Sequence, residues 1–415
     1  MHPKDINIQE FDYNLPDENI ATFPLEKRDE SKLLIYKNGD ILESQYKSLA
    51  NEIPNNSLLV FNQTKVIFAR LLFYKQTGAK IEVFCLEPDS RYPDVQTAMM
   101  ETGEVYWKCM IGGANKWKED QKIYLNTEDG LTVEATMMER QEGTFILYLS
   151  WNQSDISFAE VLHKAGKIPL PPYLNRDATE QDKVTYQTMF AKEEGSVAAP
   201  TAALHFTPNL IEALKSKQIK ESFVTLHVGA GTFKPVKAET MEGHDMHAEW
   251  IEVSKSLLKD LIQQLEQKQA IIAVGTTSTR TIESLYWIGC KLINGLEIDD
   301  VDHIAVPQWL PYEHNFGVTP AIDALEAILN YLKDNNFEKL VTKTQIIIAP
   351  GYKFNILDGI VTNFHQPKST LLLLVSALIG SDWKRVYNYA LEHQFRFLSY
   401  GDGSLLLNPN SNVIN

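Results

Sequence analysis

Cysteine is scarce, with only Cys85, Cys109 and Cys290 in 415 residues. None stands in CxxC spacing, which argues against both a zinc ribbon and a disulfide framework. Buried thiols acting as small apolar side chains are expected instead. Long hydrophobic runs are missing too. The most apolar stretch, Leu371 to Ile379, lies between Lys368 and Asp382 and falls far short of the roughly 20 residues that span a bilayer. It reads as a buried helix. The opening MHPKDINIQEFDYNLPDE has no basic region followed by an apolar one, so no secretion signal and no membrane partner are expected, and the location predicted is cytoplasmic. Basic charge is in deficit: 39 Lys and Arg face 54 Asp and Glu, a formal net charge of −15. A whole-surface grip on nucleic acid is thereby disfavoured, and only a local basic patch remains open. Internal repeats and low-complexity tracts are absent.

What is present reads as an ordinary globular chain, 44% hydrophobic and 22% charged, long enough for two or three domains. Between Leu58 and Trp151 short alternating runs such as KVIFARLLFYK, AKIEVFCLE, EVYWKCMIG and TFILYLSW are broken at Thr77-Gly78, Asp89, Gly112-Gly113 and Asp129-Gly130. That texture predicts a small β-barrel or sandwich. After Trp151 a helix is expected over about 155–165, with Gly166 just beyond it, then a non-helical Pro-rich stretch, Ile168 to Leu174. Thr207-Pro208 is a helix start. Strand FVTLHVG, a helix over about 254–267, strand AIIAVG, a helix from about Thr279 and strand IIIAP then alternate. The fold class expected is α/β, a mostly parallel sheet domain built from 1–62 and 153–415, with an inserted all-β barrel domain over 63–152. Residues 288–344 separate two strands by more than a usual connection. With acidic Glu297 to Asp302 and a helix from Thr319 to about Leu332, they read as an insertion.

Five strings carry candidate chemistry. VTLHVGAGTF ends a strand in G-x-G; Phe233 to Pro235 block the helix that a dinucleotide fingerprint must open, which leaves a glycine turn or a ligand-lining loop. GHDMHAEW offers His244, His247 and Glu249. His-x-x-His is not the helical i, i+4 zinc pair, so acid–base work or a structural polar cluster is favoured over metal. AVGTTSTRTIES places hydroxyls and Arg280 at a helix start, where free N–H groups suit either capping or an anion. PGYKFNILDGIVTNFHQPKST gathers Asp358, His365 and Lys368 in a loop-rich stretch. EGSVAAPTAALHFTP is rich in small residues, fit for packing or close ligand approach, and contains His205.

Together FDYNLPDENIATFPLEKRDESKLL, LLVFNQTKVIFARL, IPLPPYL, YQTMFAKEEGSVAAPTAALHFTP, VTLHVGAGTFKPV, HDMHAEW, AVGTTSTRTIES, PGYKFNILDGIVTNFHQPKSTLLLLVSALIG and FRFLSYGD resemble the S-adenosylmethionine:tRNA ribosyltransferase-isomerases of queuosine synthesis. The resemblance runs in order over nearly the whole chain except 288–344. It implies an α/β domain with an inserted barrel. It also implies transfer of the ribosyl part of S-adenosylmethionine to the aminomethyl group of a 7-deazaguanine at the tRNA wobble position. S-adenosylmethionine would be a consumed substrate, with no metal and no other cofactor; the partner would be the tRNA anticodon loop, and a monomer is expected.

On that reading the base and the acid lie among His205, His227, His244, His247, Glu249, Asp358 and His365. The favoured arrangement pairs His365 with Asp358, facing His247 and Glu249 across a cleft. Arg280 with Thr276, Thr277 and Ser278 would hold the methionine carboxylate or a phosphate. Gly229 and Gly231 would lie against the adenosine, with His227 and Lys368 as further substrate contacts. Lys65, Arg70, Lys164 and Lys167 would meet the anticodon stem. Two alternatives stand beside this: a paralogue that uses S-adenosylmethionine with another amine acceptor, and a non-catalytic RNA- or nucleoside-binding protein. Salt separates them, since tRNA binding weakens steeply as salt rises and small-molecule binding does not.

Overall fold

Four short apolar runs form the centre of the molecule. Lys220–Leu226, Leu58–Asn62, Ile271–Val274 and Gly359–Asn363 lie side by side in that order, all parallel. The last three are buried at every position, as expected of parallel strands covered on both faces. Leu58 and Val60 point to one face with Leu226, Ile271 and Ala273. Leu59 and Phe61 point to the other with Ile272 and Val274. The first face is covered by helices Lys255–Glu266, Thr276–Ile293, Ala321–Asp334 and Thr370–Ile379, the second by helix Pro208–Ser216.

The structure is a computed structural model that describes every residue except 1, 76, 119, 120, 142, 230–235, 237, 296–300, 315 and 415. The described residues extend the parallel centre into a nine-stranded mixed sheet. Beyond Lys220–Leu226 come Glu249–Ser254 and the edge strand Lys339–Thr344, both antiparallel. Beyond Gly359–Asn363 come antiparallel Gly403–Leu407, then Lys32–Lys37 and the second edge, Asp40–Gln45. The parallel character expected thus belongs to the centre. The outer hairpin is antiparallel because Asn38-Gly39, both at positive φ, makes the tight turn that such a pair requires.

Arg70–Tyr74, Lys80–Pro88, Glu104–Gly112, Ile123–Asn126, Thr132–Gln141 and Thr144–Trp151 close into a barrel. Every second residue, among them Phe73, Val83, Trp107, Val133 and Leu147, fills its interior. The chain approaches the barrel through Thr64–Val66, which pairs in parallel with Glu193–Ser196. Among the described residues, no helix is long and apolar enough to cross a membrane.

Helix starts follow local chemistry. Thr207, Ser254 and Ser369 each accept a hydrogen bond from the backbone N–H three residues on, and Ser157 with Glu160 forms a capping box that begins its helix at Phe158. Two expectations need correction. IIIAP forms no strand: Ile346 and Ile347 give their carbonyls to the side chains of Arg280 and Tyr312 instead of to a ladder. The helix expected from Thr279 already begins at Thr276.

Nor is 288–344 a surface appendage. Its helix Ala321–Asp334 packs on Thr276–Ile293 and Lys255–Glu266, its strand Lys339–Thr344 extends the sheet, and Ile328, Leu332 and Leu340 are core residues. The acidic residues 297–300 lie outside the described part. At the helix crossing Gly289 meets Ala324 backbone to backbone, so a Cβ on Gly289 would stand 2.1 Å from the Ala324 carbonyl oxygen. Gly289→Ala is therefore expected to destabilise the fold by about 1–3 kcal/mol, measured as a lower urea midpoint. An unchanged midpoint would mean that the two helices separate without cost.

Candidate active site

Because the central strands are parallel, their carboxyl ends open on one side, where ligands of α/β sheets bind. A cavity of about 630 Å³ lies there. Val228 follows the first strand, Gly275, Thr276 and Thr277 the third, and Phe364, His365 and Gln366 the fourth; all line it. The small-residue run supplies Ala198 to Ala202, the His-x-x-His string supplies His244, His247 and Glu249, and the start of helix Thr370–Ile379 closes another side.

The floor joins a helix start to a buried ion pair. Gly275 turns the strand into the helix at φ 89°, a conformation that L side chains rarely adopt, and gives no side-chain cap. The N–H groups of the first turn are thus left for a ligand. One turn on, the Arg280 guanidinium is held by two bonds. Its Nε donates to the Ile346 carbonyl at 3.1 Å and its Nη1 to Glu249. Both side chains of this ion pair are buried, at 8% and 5% exposure, and Glu249 also accepts from the Gly229 N–H at 3.3 Å. Arg280 Nη2 is buried without a hydrogen-bond partner among the described residues. An orphaned charged donor costs about 1–3 kcal/mol or more.

His365 also lines the cavity. Its backbone N–H donates to the Tyr387 hydroxyl at 3.0 Å, its carbonyl accepts from the Tyr13 hydroxyl, and its Nε2 lies 3.0 Å from the Thr362 hydroxyl. Burial pushes its pKa down to about 3, so the ring is neutral near pH 7. His247 is exposed on the cavity wall, and burial lowers the pKa of His244 beside it.

The other expected residues lie elsewhere. His205 sits behind the wall, stacked on Tyr46 at 4.2 Å, with Nε2 3.3 Å from the Asn363 amide, which itself faces the cavity. His227 points toward Thr64, with Nδ1 3.0 Å from its hydroxyl. Burial pushes both histidines down to about 4. Ser278 donates to the Val274 carbonyl at 2.9 Å inside the helix. Lys368 pairs with Asp12 at 3.0 Å. Gly231 lies outside the described residues.

The His365–Asp358 pairing is corrected by the sheet. Asp358 precedes strand Gly359–Asn363 and His365 follows it, which sets them roughly 16 Å apart at the usual strand rise. Asp358 instead accepts from the Ile271 N–H at 3.0 Å and the Ser411 hydroxyl at 2.6 Å, with its pKa raised by burial. The basic patch is largely neutralised: Lys65 pairs with Glu194 at 2.7 Å, Arg70 with Glu82 at 2.6 Å and Lys164 with Asp129 at 3.0 Å. Lys167 is exposed, with no ion pair among the described residues. Sequence reasoning missed Tyr13, Thr362, Asn363 and Tyr387. Two of them stand inside a string already singled out, VTNFHQP, while Tyr13 is 352 residues from its partner and sends no local signal.

The profile described as queuosine biosynthesis protein matches residues 8–406. The chain belongs to this family. It is 35% identical to the S-adenosylmethionine:tRNA ribosyltransferase-isomerase of Magnetococcus marinus, over 96% of this chain and 93% of that one. It is 36% identical to the protein of the same name from Thermotoga petrophila, over 97% of this chain and all of that one. A crystal structure of an S-adenosylmethionine tRNA ribosyltransferase from Thermotoga maritima matches 96% of this chain and all of that chain, at 29% identity and a TM-score of 0.46.

The three buried histidines make stability pH-dependent. His205, His227 and His365 titrate near 4, 4 and 3 when folded and near 6.5 when unfolded. The unfolded chain therefore binds more protons between these values. Stability is fully present above about pH 6.5 and is lost as pH falls toward 4, by up to about 1.4 kcal/mol per pH unit for each histidine. Urea titrations at pH 7, 6 and 5 should show the fall; a flat profile would mean that these rings charge freely in the native state.

Proposed function

We propose that the chain transfers and isomerises the ribosyl moiety of S-adenosylmethionine onto 7-aminomethyl-7-deazaguanine at the wobble position of tRNA. Epoxyqueuosine forms, and adenine and methionine leave. The observation that carries this reading is Arg280, its Nη2 unpartnered among the described residues, beside an uncapped helix start in a cavity lined by His244, His247 and His365. A methionine carboxylate fits that floor: the guanidinium supplies charge, and the first-turn N–H groups of Thr276 and Thr277 supply donors. Glu249 holds the guanidinium in place and is not the base.

The sulfonium acidifies the neighbouring C5′ protons, so a positioned base forms an ylide. His247 is that base in this reading, because its ring stands exposed on the cavity wall. Adenine then departs, and the amine of the RNA base must be held in line for attack. No covalent enzyme intermediate and no cofactor beyond the consumed S-adenosylmethionine is invoked. The wobble base enters unstacked from the anticodon loop, with Lys167, exposed and without an ion pair among the described residues, as a cation for phosphate. The protein would act in the cytoplasm as a monomer, and the alternative roles gain no specific contact among the described residues.

Incubation with S-adenosylmethionine and tRNA carrying the 7-aminomethyl-7-deazaguanine base should give adenine and epoxyqueuosine in equal amounts, read by chromatography and nucleoside mass. Binding of S-adenosylmethionine without adenine release would sink the assignment. His247→Asn should lower kcat by roughly 10²- to 10⁴-fold with little effect on S-adenosylmethionine binding; a near-normal kcat would move the base elsewhere.

A further inference from the structure

Hydrogen-bond accounting at the His365 ring fixes which nitrogen carries its proton. Thr362 is 1% exposed, and its hydroxyl has one hydrogen-bond partner among the described residues, His365 Nε2 at 3.0 Å. If Nε2 carried the proton it would donate to Thr362, and the hydroxyl hydrogen would be left without an acceptor among the described residues. If the hydroxyl donates to Nε2, both groups are satisfied, and the ring proton sits on Nδ1. A buried unsatisfied donor is costly enough to decide between the two. His365 lines the cavity, and its Nδ1 has no partner among the described residues and is not sealed from the open space.

The two residues that meet here are held at fixed places in the main chain. The His365 backbone is pinned on both sides by Tyr13 and Tyr387, and Thr362 is fixed in a strand buried at every position. We propose that His365 faces the cavity as a neutral hydrogen-bond donor, its proton held on Nδ1 because Thr362, a positioning residue, donates to Nε2. This inference rests on the reaction proposed above. As the bond from ribose to adenine breaks, its electron pair collects on the purine, and an N–H aimed at a ring nitrogen stabilises that charge without leaving the imidazole. No hydrogen is transferred at His365 in this role, so no imidazolate forms, and proton abstraction belongs to another group. Neutral imidazole acting as an electrophile is established chemistry for a ring whose charged form is disfavoured.

The test uses the full-length protein with ring-¹⁵N histidine, the His365 signals being assigned by their loss in His365→Gln. The wild type should show a protonated Nδ1 and a pyridine-like Nε2. Thr362→Val keeps the shape of the side chain and removes the hydroxyl, and should shift the signals toward the other tautomer. It should also lower kcat for adenine release by up to roughly 10²- to 10³-fold, the cost of losing one preorganised donor, with the KM for S-adenosylmethionine unchanged. Thr362→Ser restores the hydroxyl and should recover both. A pyridine-like Nδ1 in the wild type would overturn the tautomer, and a changed tautomer with unchanged kcat would overturn its role. The spectra do not depend on turnover, so they decide the tautomer even if the proposed reaction itself fails.

Discussion

The buried ion pair between Glu249 and Arg280 is the contact around which the site is organised. Removing two charges from water is expensive, and the pair survives only where further hydrogen bonds complete it. Glu249 meets the Gly229 N–H and Arg280 the Ile346 carbonyl. Those partners belong to three chain segments at the ends of neighbouring strands: the loop after Lys220–Leu226, the start of Glu249–Ser254 and the run after Lys339–Thr344. One electrostatic knot therefore sets the spacing of the cavity floor and holds Arg280 against it, with Nη2 buried and unpartnered among the described residues. The stretch 345–348 could not serve as a strand and as this clamp at once, and the clamp prevails.

A second constraint is the parallel register at the centre of the sheet. It gathers the residues after three strands at one rim and sends anything before a strand to the opposite rim. That is why His365 takes part in the cavity while Asp358, only seven positions earlier in the chain, serves the far end by tying Ile271 to Ser411. A carboxylate of another kind works behind the rim. Glu283, buried in helix Thr276–Ile293, accepts from Tyr352 and from the N–H groups of Asn355, Ile356 and Leu357. It thereby shapes the approach to Gly359–Asn363 without facing the ligand space.

Elements with a strong local signal were legible in the sequence. The alternation of the barrel strands, the hydroxyl caps at Thr207, Ser254 and Ser369, and the apolar strand runs all state their conformation within a few residues. The site was legible at the level of strings: Arg280, Thr276, Thr277, His247, Glu249 and His365 all come from motifs chosen for their chemistry. What stayed hidden was partnership. Lys65, Arg70 and Lys164 look like free cations until the fold supplies Glu194, Glu82 and Asp129, and Asp358 looks like a partner for His365 until the strand between them is extended. The residues 288–344 looked added because a long connection resembles an insertion, although its buried face belongs to the shared core.

Both margins of the sheet are poor templates for a further strand. Asp40–Gln45 presents Asp40 and Glu43 along a short, largely polar rim. Lys339–Thr344 carries lysines, and part of its rim is already taken by Val306, whose N–H donates to the Lys343 carbonyl and whose carbonyl accepts from Gln345. Charged, short and partly covered margins discourage one molecule from adding to the sheet of the next. A nine-stranded sheet of this size can thus remain dispersed at high concentration although its interior strands are among the most apolar segments of the chain.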